Sequence, residues 1–208
     1  MPGAWQTLLQ LARGLSPWEL TAVVFAIAYL LLAVKENVWC WFFAFTSTAI
    51  YTVLFWDVNL LMDSVLNFYY MLMAFYGWYE WTRGGNGAEP QPLAIRSMTG
   101  RQQGAVIAAT LSLSAVSGVL LERYTTEAWP YVDSFTTWAS VITTYLVARK
   151  YLQNWIYWIV IDAVSAYLYV ERGLTLTALL FAAYVIIAVA GYYSWRRHFL
   201  GNAQAAAV

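Results

Sequence analysis

Long apolar runs separated by short polar segments dominate the pattern of this chain. Each run is long enough, at about 20 helical residues, to cross a hydrocarbon core of about 30 Å. Charged and turn-forming residues mark the ends of the runs, and most connections are short, so consecutive helices should pack as antiparallel neighbours. The pattern predicts an all-α integral membrane protein with seven transmembrane helices, at about residues 18–34, 38–56, 60–81, 104–121, 131–148, 152–170 and 174–195.

Three parts of the chain lie outside these runs. Residues 1–17 lack the basic start and the small-residue cleavage site of a signal peptide, so we expect a short amphipathic lead. Residues 82–103 are rich in Gly, Pro and Gln and predict a loop rather than an eighth helix. The predicted organisation is a lead (1–17), a three-helix unit (18–81), a cytoplasmic loop (82–103), a linker helix (104–121), a second three-helix unit (131–195) and a cytoplasmic tail (196–208).

The two three-helix units share a sequence pattern. The segment "NVWCW", residues 37–41, matches "NWIYW", residues 154–158, at a separation of 117. The segment "YYMLMAFYGWYEW", residues 69–81, matches "AYVIIAVAGYYSW", residues 183–195, at a separation of 114. The difference predicts a three-residue insertion or deletion between the second and third helices of the units. A chance match between aromatic spans is the alternative to a duplication.

A duplication of this kind fixes how the two copies relate. The fifth helix follows the first by four crossings, so both begin on the same side of the membrane and the fourth helix acts as a linker. Transporters built from such a parallel 3+1+3 repeat bind substrate near the midplane between the repeats. In this alignment Asp162 corresponds to Phe45. Asn154 and Trp158 then belong to the shared scaffold, and Trp155 and Asp162 are what the second copy adds.

Composition supports a membrane protein. Of the 208 residues, 62% are hydrophobic and 11% are charged, and the mean hydropathy is +0.56, whereas about a quarter of the residues are charged in a soluble domain. The formal charge is zero and no Lys/Arg-rich run occurs. We therefore expect membrane lipid around the chain and no nucleic-acid partner.

Few residues could support metal or covalent chemistry. The only cysteine, Cys40, lies in an apolar run, and the only histidine, His198, follows the last predicted helix. Neither an intrachain disulfide, a cysteine metal cluster, an intramembrane Ser–His dyad nor a histidine metal site can be built from them. We therefore do not expect an enzyme, a cofactor or a bound metal.

The basic residues between the helices indicate the orientation. With seven spans the termini lie on opposite sides, and three basic residues fall on the N-terminal side against eight on the other. The positive-inside rule then predicts an outside N-terminus and a cytoplasmic C-terminus. The three are Arg13, Arg123 and Arg172, and the eight are Lys35, Arg83, Arg96, Arg101, Arg149, Lys150, Arg196 and Arg197.

Asp162 is the one acidic or basic residue that the pattern places in the middle of a span. It follows the start of its predicted helix by ten residues, which puts it roughly 15 Å deep, near the bilayer centre. A charge at that depth is costly and is usually functional. The alternative is a structural role, in which the carboxylate is hydrogen-bonded to a Tyr, Ser or Trp on a neighbouring helix.

Other candidate site residues share this depth or this helix face. Trp155, Trp158 and Asp162 fall at i, i+3 and i+7, so they lie on one face. The alternative for the tryptophans is an interfacial aromatic belt. Asn67, Tyr70 and Tyr184 lie about seven to ten residues into their own helices, and an amide at that depth needs a helix or a ligand to bond to.

These side chains suit a small, flat and partly polar solute. Aromatic faces can stack on a ring, and amide, hydroxyl and carboxylate groups can bond sugar-like hydroxyls. A cationic aromatic ring would gain from both the indole faces and the carboxylate. No Lys or Arg falls within any predicted span, so a phosphorylated substrate would find nothing to neutralise its charge.

Three segments resemble the PnuC-type transporters of nicotinamide riboside. They are "NWIYWIVID", "NFYYMLMAFYGWYEW" and "TALLFAAYVIIAVAGYYSWRR", in helices 2, 3, 6 and 7 with the layout of the rest. The W-x-x-W pair followed by an aspartate, together with the Y-G-W-x-x-W ending at Tyr76 to Trp81, is a specific signal. That family is similar to an enlarged, duplicated SWEET sugar transporter. The resemblance implies a SWEET-like fold and a homotrimer in a bacterial inner membrane.

The resemblance also implies a function. It implies uptake of nicotinamide riboside for NAD biosynthesis by facilitated diffusion, with cytoplasmic phosphorylation trapping the vitamin. Trp155 and Trp158 would line the substrate site, with Asn67 and Tyr70 facing them. Many members carry Gln where this chain has Asn67, and related sequences carry thiamine or riboflavin, so another vitamin is the alternative. Proton coupling through Asp162, and a protein whose duplicated helices serve only for packing, also stay open.

Overall fold

The computed structural model confirms the seven predicted helices. It describes residues 16–57, 61–85, 91–126, 128–171, 173 and 175–205, so most of the predicted lead lies outside the described residues. The helices are α1 (Pro17–Val34), α2 (Cys40–Asp57), α3 (Leu61–Arg83), α4 (Gly100–Tyr124), α5 (Pro130–Ala148), α6 (Asn154–Glu171) and α7 (Thr175–Ala205).

Capping boxes fix where two helices begin. At α1 the Ser16 hydroxyl accepts from the Glu19 amide while the Glu19 carboxylate accepts from the Ser16 amide, and Pro17 occupies the first turn. At α4 Thr99 and Gln102 form the same reciprocal pair. The T-x-x-Q signal therefore starts α4 at residue 100, before the predicted residue 104, because it satisfies the first free amides of the helix.

Helix α7 continues for ten residues beyond its predicted end at residue 195. The prediction used Arg196 and Arg197 as the end of the apolar run, but charges end a membrane span without ending a helix. Phe199 packs against the core, and His198 contacts Glu36. The first part of the predicted tail is therefore helical.

Three of the helices are, by length and composition alone, apolar enough to cross a membrane. They are α1, α4 and the part of α7 from Thr177 to Asn202, in a search of the described residues. These three helices place the chain among membrane-embedded proteins.

The helices form two sets of three joined by a linker. In the first triad, α1 to α3, helix α2 packs on both α1 and α3; in the second triad, α5 to α7, helix α6 packs on both α5 and α7. Helix α4 packs on α5. The triads meet where α3 packs on α5 and where α1 packs on α7.

The two triads correspond at a constant separation of 114 residues. Helices α2 and α6 are both 18 residues long and begin at Cys40 and Asn154. The turn before each contains a left-handed residue that is not glycine, Glu36 with φ 55° and Lys150 with φ 50°. The prediction that residues 37–41 pair with 154–158 at a separation of 117, and with it the three-residue insertion or deletion, is therefore wrong.

Tryptophan packing against glycine shows the same correspondence. A Cβ on Gly77 would lie 2.3 Å from the Trp41 ring, and a Cβ on Gly191 would lie 2.6 Å from the Trp155 ring. Glycine thus lets α3 approach α2 and α7 approach α6 closely. Trp155 is the counterpart of Trp41, so the expectation that Trp155 is an addition of the second copy is wrong.

The core lies at one end of the bundle. We call it the tryptophan end, because it holds four buried tryptophans: Trp41, Trp81, Trp155 and Trp195. Their rings form a chain, with centroids 5.4 Å apart for Trp41 and Trp81, 5.8 Å for Trp81 and Trp195, and 5.4 Å for Trp155 and Trp195. This chain of rings crosses from one triad to the other.

The predicted loop docks on this end. Arg96 and Tyr151 form a parallel bridge: the Arg96 amide donates to the Lys150 carbonyl, and the Leu152 amide donates to the Arg96 carbonyl. The Gln153 side chain accepts from the Met98 amide. Residues 91–99 therefore cover the turn between α5 and α6.

Candidate substrate site

Asp162 is a buried carboxylate in α6. Its side chain belongs to a residue that is only 6% exposed, and among the described residues it has neither a hydrogen bond nor an ion pair. It interacts electrostatically with Tyr70 of α3 and Tyr184 of α7. A buried carboxylate without a cation is costly, so its surroundings favour a positively charged or hydrogen-bonding ligand.

Tyr70 brings the first triad to this carboxylate. It lies deep in the bundle and its hydroxyl hydrogen-bonds Ser140 of α5. The neighbouring Tyr69 donates to the Val141 carbonyl at 2.9 Å. These two contacts hold α3 against α5 and point the Tyr70 phenol towards the space between the triads.

Two further tyrosines belong with this group. Tyr51 of α2 interacts with Tyr184, and Tyr29 of α1 lies near Tyr70. We call Tyr29, Tyr51, Tyr70, Asp162 and Tyr184 the tyrosine–aspartate group. The sequence analysis missed Tyr29 and Tyr51, although a phenol in the middle of an otherwise aliphatic helix, as at Tyr29, is the signal that could have found it.

Asn67 makes a local contact. Its side-chain nitrogen donates to the Asp63 carbonyl, 2.9 Å away and one turn earlier in α3. The structure shows no contact between Asn67 and the tyrosine–aspartate group within the described residues. The amide thus has a partner in its own helix, and its predicted role at the substrate stays a prediction.

Trp155 belongs to the core in this conformation. It is 2% exposed, packs edge-on against Trp195 and lies over Gly191. Its indole N–H is buried and has no acceptor among the described residues, which is also true of its counterpart Trp41. Each triad therefore keeps one buried indole donor unused.

Trp158 and Asp162 distinguish the second triad from the first. At a separation of 114, their counterparts are Ala44 and Thr48. Thr48 donates to the Ala44 carbonyl of its own helix at 2.8 Å, so the first triad offers neither a charge nor a large ring at these positions. Asp162 therefore pairs with Thr48 rather than with Phe45, and Trp158 is not shared scaffold. It is partly buried and packs against the core.

The arrangement favours recognition over catalysis. Phenol hydroxyls can donate to and accept from hydroxyl groups, and a carboxylate accepts hydrogen bonds and attracts cations. Within the described residues no cluster of three His, Cys, Asp or Glu side chains could hold a metal ion. The group can thus bind a small solute that carries hydroxyls and a positive charge.

Comparisons with known proteins place the chain among transporters. Residues 16–197 match a family model described as nicotinamide mononucleotide transporter. The riboflavin/roseoflavin transporter RibM of Streptomyces davaonensis is 24% identical over 178 residues, which cover 85% of this chain and 83% of RibM. The nicotinamide riboside transporter PnuC of Escherichia coli is 23% identical over 193 residues, which cover 79% of this chain and 78% of that protein.

A solved structure has the same fold. The crystal structure of the vitamin B3 transporter PnuC matches with a TM-score of 0.71 and 23% sequence identity, over 93% of this chain and 86% of that chain. The match shows that the seven-helix arrangement is that of PnuC.

Proposed function

The chain belongs to the nicotinamide mononucleotide transporter family as a PnuC-type member, and from this premise we propose that it carries nicotinamide riboside across the membrane. The observation that carries the proposal is Asp162, a buried carboxylate that faces Tyr70 and Tyr184 and has no cation partner among the described residues. Nicotinamide riboside combines a positively charged pyridinium ring with ribose hydroxyls. It supplies the charge and the hydrogen bonds that this group lacks.

A nucleoside fits these residues better than a nucleotide. No Lys or Arg lies within the predicted spans, and a phosphate in a low-dielectric site needs such a partner. The phosphate of nicotinamide mononucleotide would instead meet the Asp162 carboxylate, which repels it. We therefore assign the unphosphorylated riboside to this chain, although the family is named for the nucleotide.

The two triads are the two copies of a parallel, SWEET-like 3+1+3 repeat in this proposal. Its support is the constant separation of 114, seen in Glu36 and Lys150 and in the two tryptophan–glycine contacts. All seven helices then cross the bacterial inner membrane, with the N-terminus outside and the C-terminus in the cytoplasm. By resemblance to its family, the protein assembles as a homotrimer.

The transport mechanism in this proposal is facilitated diffusion. Asp162 is the one midplane acid of the chain, and it is assigned to the substrate rather than to a coupling ion. Phosphorylation in the cytoplasm then traps the vitamin. Trp155, Trp158 and Asn67 complete the predicted site when the pathway opens, since the buried indole donor of Trp155 gains an acceptor.

Riboflavin is the second candidate substrate. RibM is as similar to this chain as the PnuC proteins are, and the match covers most of both chains. Riboflavin has a flat ring system and a polyhydroxyl chain, which the tyrosines could bind, but it is neutral and leaves Asp162 without a counter-charge.

A ligand panel separates these candidates. The unfolding temperature of the purified protein is measured with nicotinamide riboside, nicotinamide mononucleotide, riboflavin and thiamine, because a ligand stabilises the folded state that binds it. We expect nicotinamide riboside to raise the temperature and the mononucleotide to have no effect. Stabilisation by riboflavin alone would reject the proposed substrate and keep the transporter class.

A further inference from the structure

Reciprocal tryptophan hydrogen bonds join the two triads at the tryptophan end. The Trp81 indole of the first triad donates to the Val147 carbonyl of the second, at 3.2 Å. The Trp195 indole of the second triad donates to the Ala33 carbonyl of the first, at 3.0 Å. These two bonds connect corresponding positions in opposite directions, and both acceptors are carbonyls in the last turn of a helix.

A buried ion pair lies beside these bonds. The Lys150 ammonium is 3.0 Å from the Glu36 carboxylate and 4.6 Å from the centre of the Trp81 ring, and the lysine is 6% exposed. The other Glu36 oxygen is 2.6 Å from Nδ1 of His198. Glu36 and Lys150 are counterparts in the two triads, so this contact lies where the triads face each other.

A second ion pair crosses the same boundary. Arg149, in the turn after α5, donates to the Glu80 carboxylate at 2.9 Å and to the Tyr76 hydroxyl at 3.1 Å. At this end the first triad contributes the acids and the second contributes the bases. The charges are therefore complementary across the boundary between the triads.

We propose that these contacts form a gate: the Glu36–Lys150 pair and the reciprocal tryptophan bonds close one end of the transport pathway, and the pathway opens there when they break. The proposal rests on the proposed function, because a gate needs a pathway. The tyrosine–aspartate group lies deeper in the bundle than the gate. Closing it thus separates Asp162 from the solvent on that side.

The chemistry of the contacts suits a closure that reverses. A buried ion pair gains attraction but loses the hydration of both ions, so its net contribution to stability is small. Opening the gate returns the two ions to water, which replaces the lost attraction. Apolar side chains at the same positions would have no such compensation on opening.

The backbone supports movement at the same place. Glu36 and Lys150 both have positive φ angles, and each lies in the short turn between the first and second helices of its triad. Left-handed residues without glycine are costly and concentrate at functional sites. Each half of the ion pair is therefore carried by a turn that links two helices.

Spin-label distances measured by electron paramagnetic resonance test the gate without substrate. Labels are placed at Lys35 and Ile156, which are exposed and belong to different triads, in a Cys40→Ala background. Glu36→Gln keeps the shape of the side chain but leaves Lys150 buried without its carboxylate. We expect the longer-distance population to become the larger one in this variant.

The double variant provides the decisive comparison. Glu36→Gln with Lys150→Met removes the unpaired ammonium, so we expect the distance distribution to return to the short, closed one. Glu122→Gln is the matched control, because it removes the exposed hydrogen bond to Tyr131 far from this end, and its distances should equal those of the parent. Unchanged distances in Glu36→Gln, or an open double variant, overturn the proposal.

A second variant covers the case in which Glu36→Gln does not fold. Trp195→Phe keeps an aromatic ring in the chain of rings but removes the hydrogen bond to Ala33. It should shift the distances in the same direction and by less. Unchanged distances in this variant also overturn the gate. Since no vitamin is present, the gate can fail while uptake of nicotinamide riboside succeeds, and the reverse.

Discussion

At the scale of single residues, Asp162 sets binding against stability. A buried carboxylate without a protein cation destabilises the fold, because the ion loses its hydration and gains no partner. Its neighbours are phenols, which can hydrogen-bond the carboxylate but cannot neutralise it. A positively charged substrate removes this cost while it is bound.

Replacing Asp162 by asparagine should therefore separate function from stability. We expect uptake of nicotinamide riboside to fall about tenfold or more, since a hydrogen bond to a charged group contributes about 1.5–3 kcal/mol. The unfolding temperature should stay the same or rise. Asp57→Asn, at an exposed position at the end of α2, is the matched control and should change neither. Loss of folded protein in Asp162→Asn would instead support a structural role.

The sequence located part of this group. Tyr70, Asp162 and Tyr184 could be predicted from their depth in the helices, and the structure brings them together. Depth alone could not distinguish them from Asn67, whose amide bonds its own helix. The direction of a side chain depends on how the helices rotate against each other, and single spans do not contain that information.

At the scale of elements, apolar runs predicted all seven helices because each run is both long and uninterrupted. The register between the copies was harder to predict. "NVWCW" and "NWIYW" share an Asn and a Trp at a separation of 117, but Trp41 and Trp155 occupy the same place against Gly77 and Gly191. Packing against a neighbouring helix, rather than identity within one helix, decides which residues correspond.

The glycines in these contacts should be sensitive to a single added carbon. Gly77→Ala and Gly191→Ala would each force a Cβ into a tryptophan ring, and overpacking of this kind costs about 1–3 kcal/mol. Chemical unfolding in detergent measures the effect. Gly104→Ala is the control: nothing lies within 4 Å of its Cβ, so it should stabilise α4 by about 0.5–1 kcal/mol. Equal effects at all three positions would contradict the proposed contacts.

At the scale of the whole molecule, the two triads differ in what they contribute. They share the tryptophan–glycine packing and the turns with positive φ, so the scaffold is nearly symmetric. The charge at the site comes from the second triad alone, because Thr48 stands opposite Asp162. A symmetric scaffold with an asymmetric site fits a transporter that binds one substrate molecule between two similar halves.

Orientation is a property of the whole molecule that reporter fusions can measure. The eight-to-three distribution of basic residues predicts a cytoplasmic C-terminus. Green fluorescent protein fused after Val208 should therefore fluoresce, and alkaline phosphatase fused there should be inactive. The opposite pair of results would invert the orientation and place the tryptophan end outside.

Uptake of radiolabelled nicotinamide riboside by proteoliposomes tests the central claim most directly. Without any ion gradient, the account predicts entry until the inside and outside concentrations are equal, competition by unlabelled nicotinamide riboside, and no competition by nicotinamide mononucleotide. Liposomes with Asp162→Asn protein should take up about a tenth as much in the initial phase. Uptake no faster than in empty liposomes, with folded protein in the membrane, would contradict the claim.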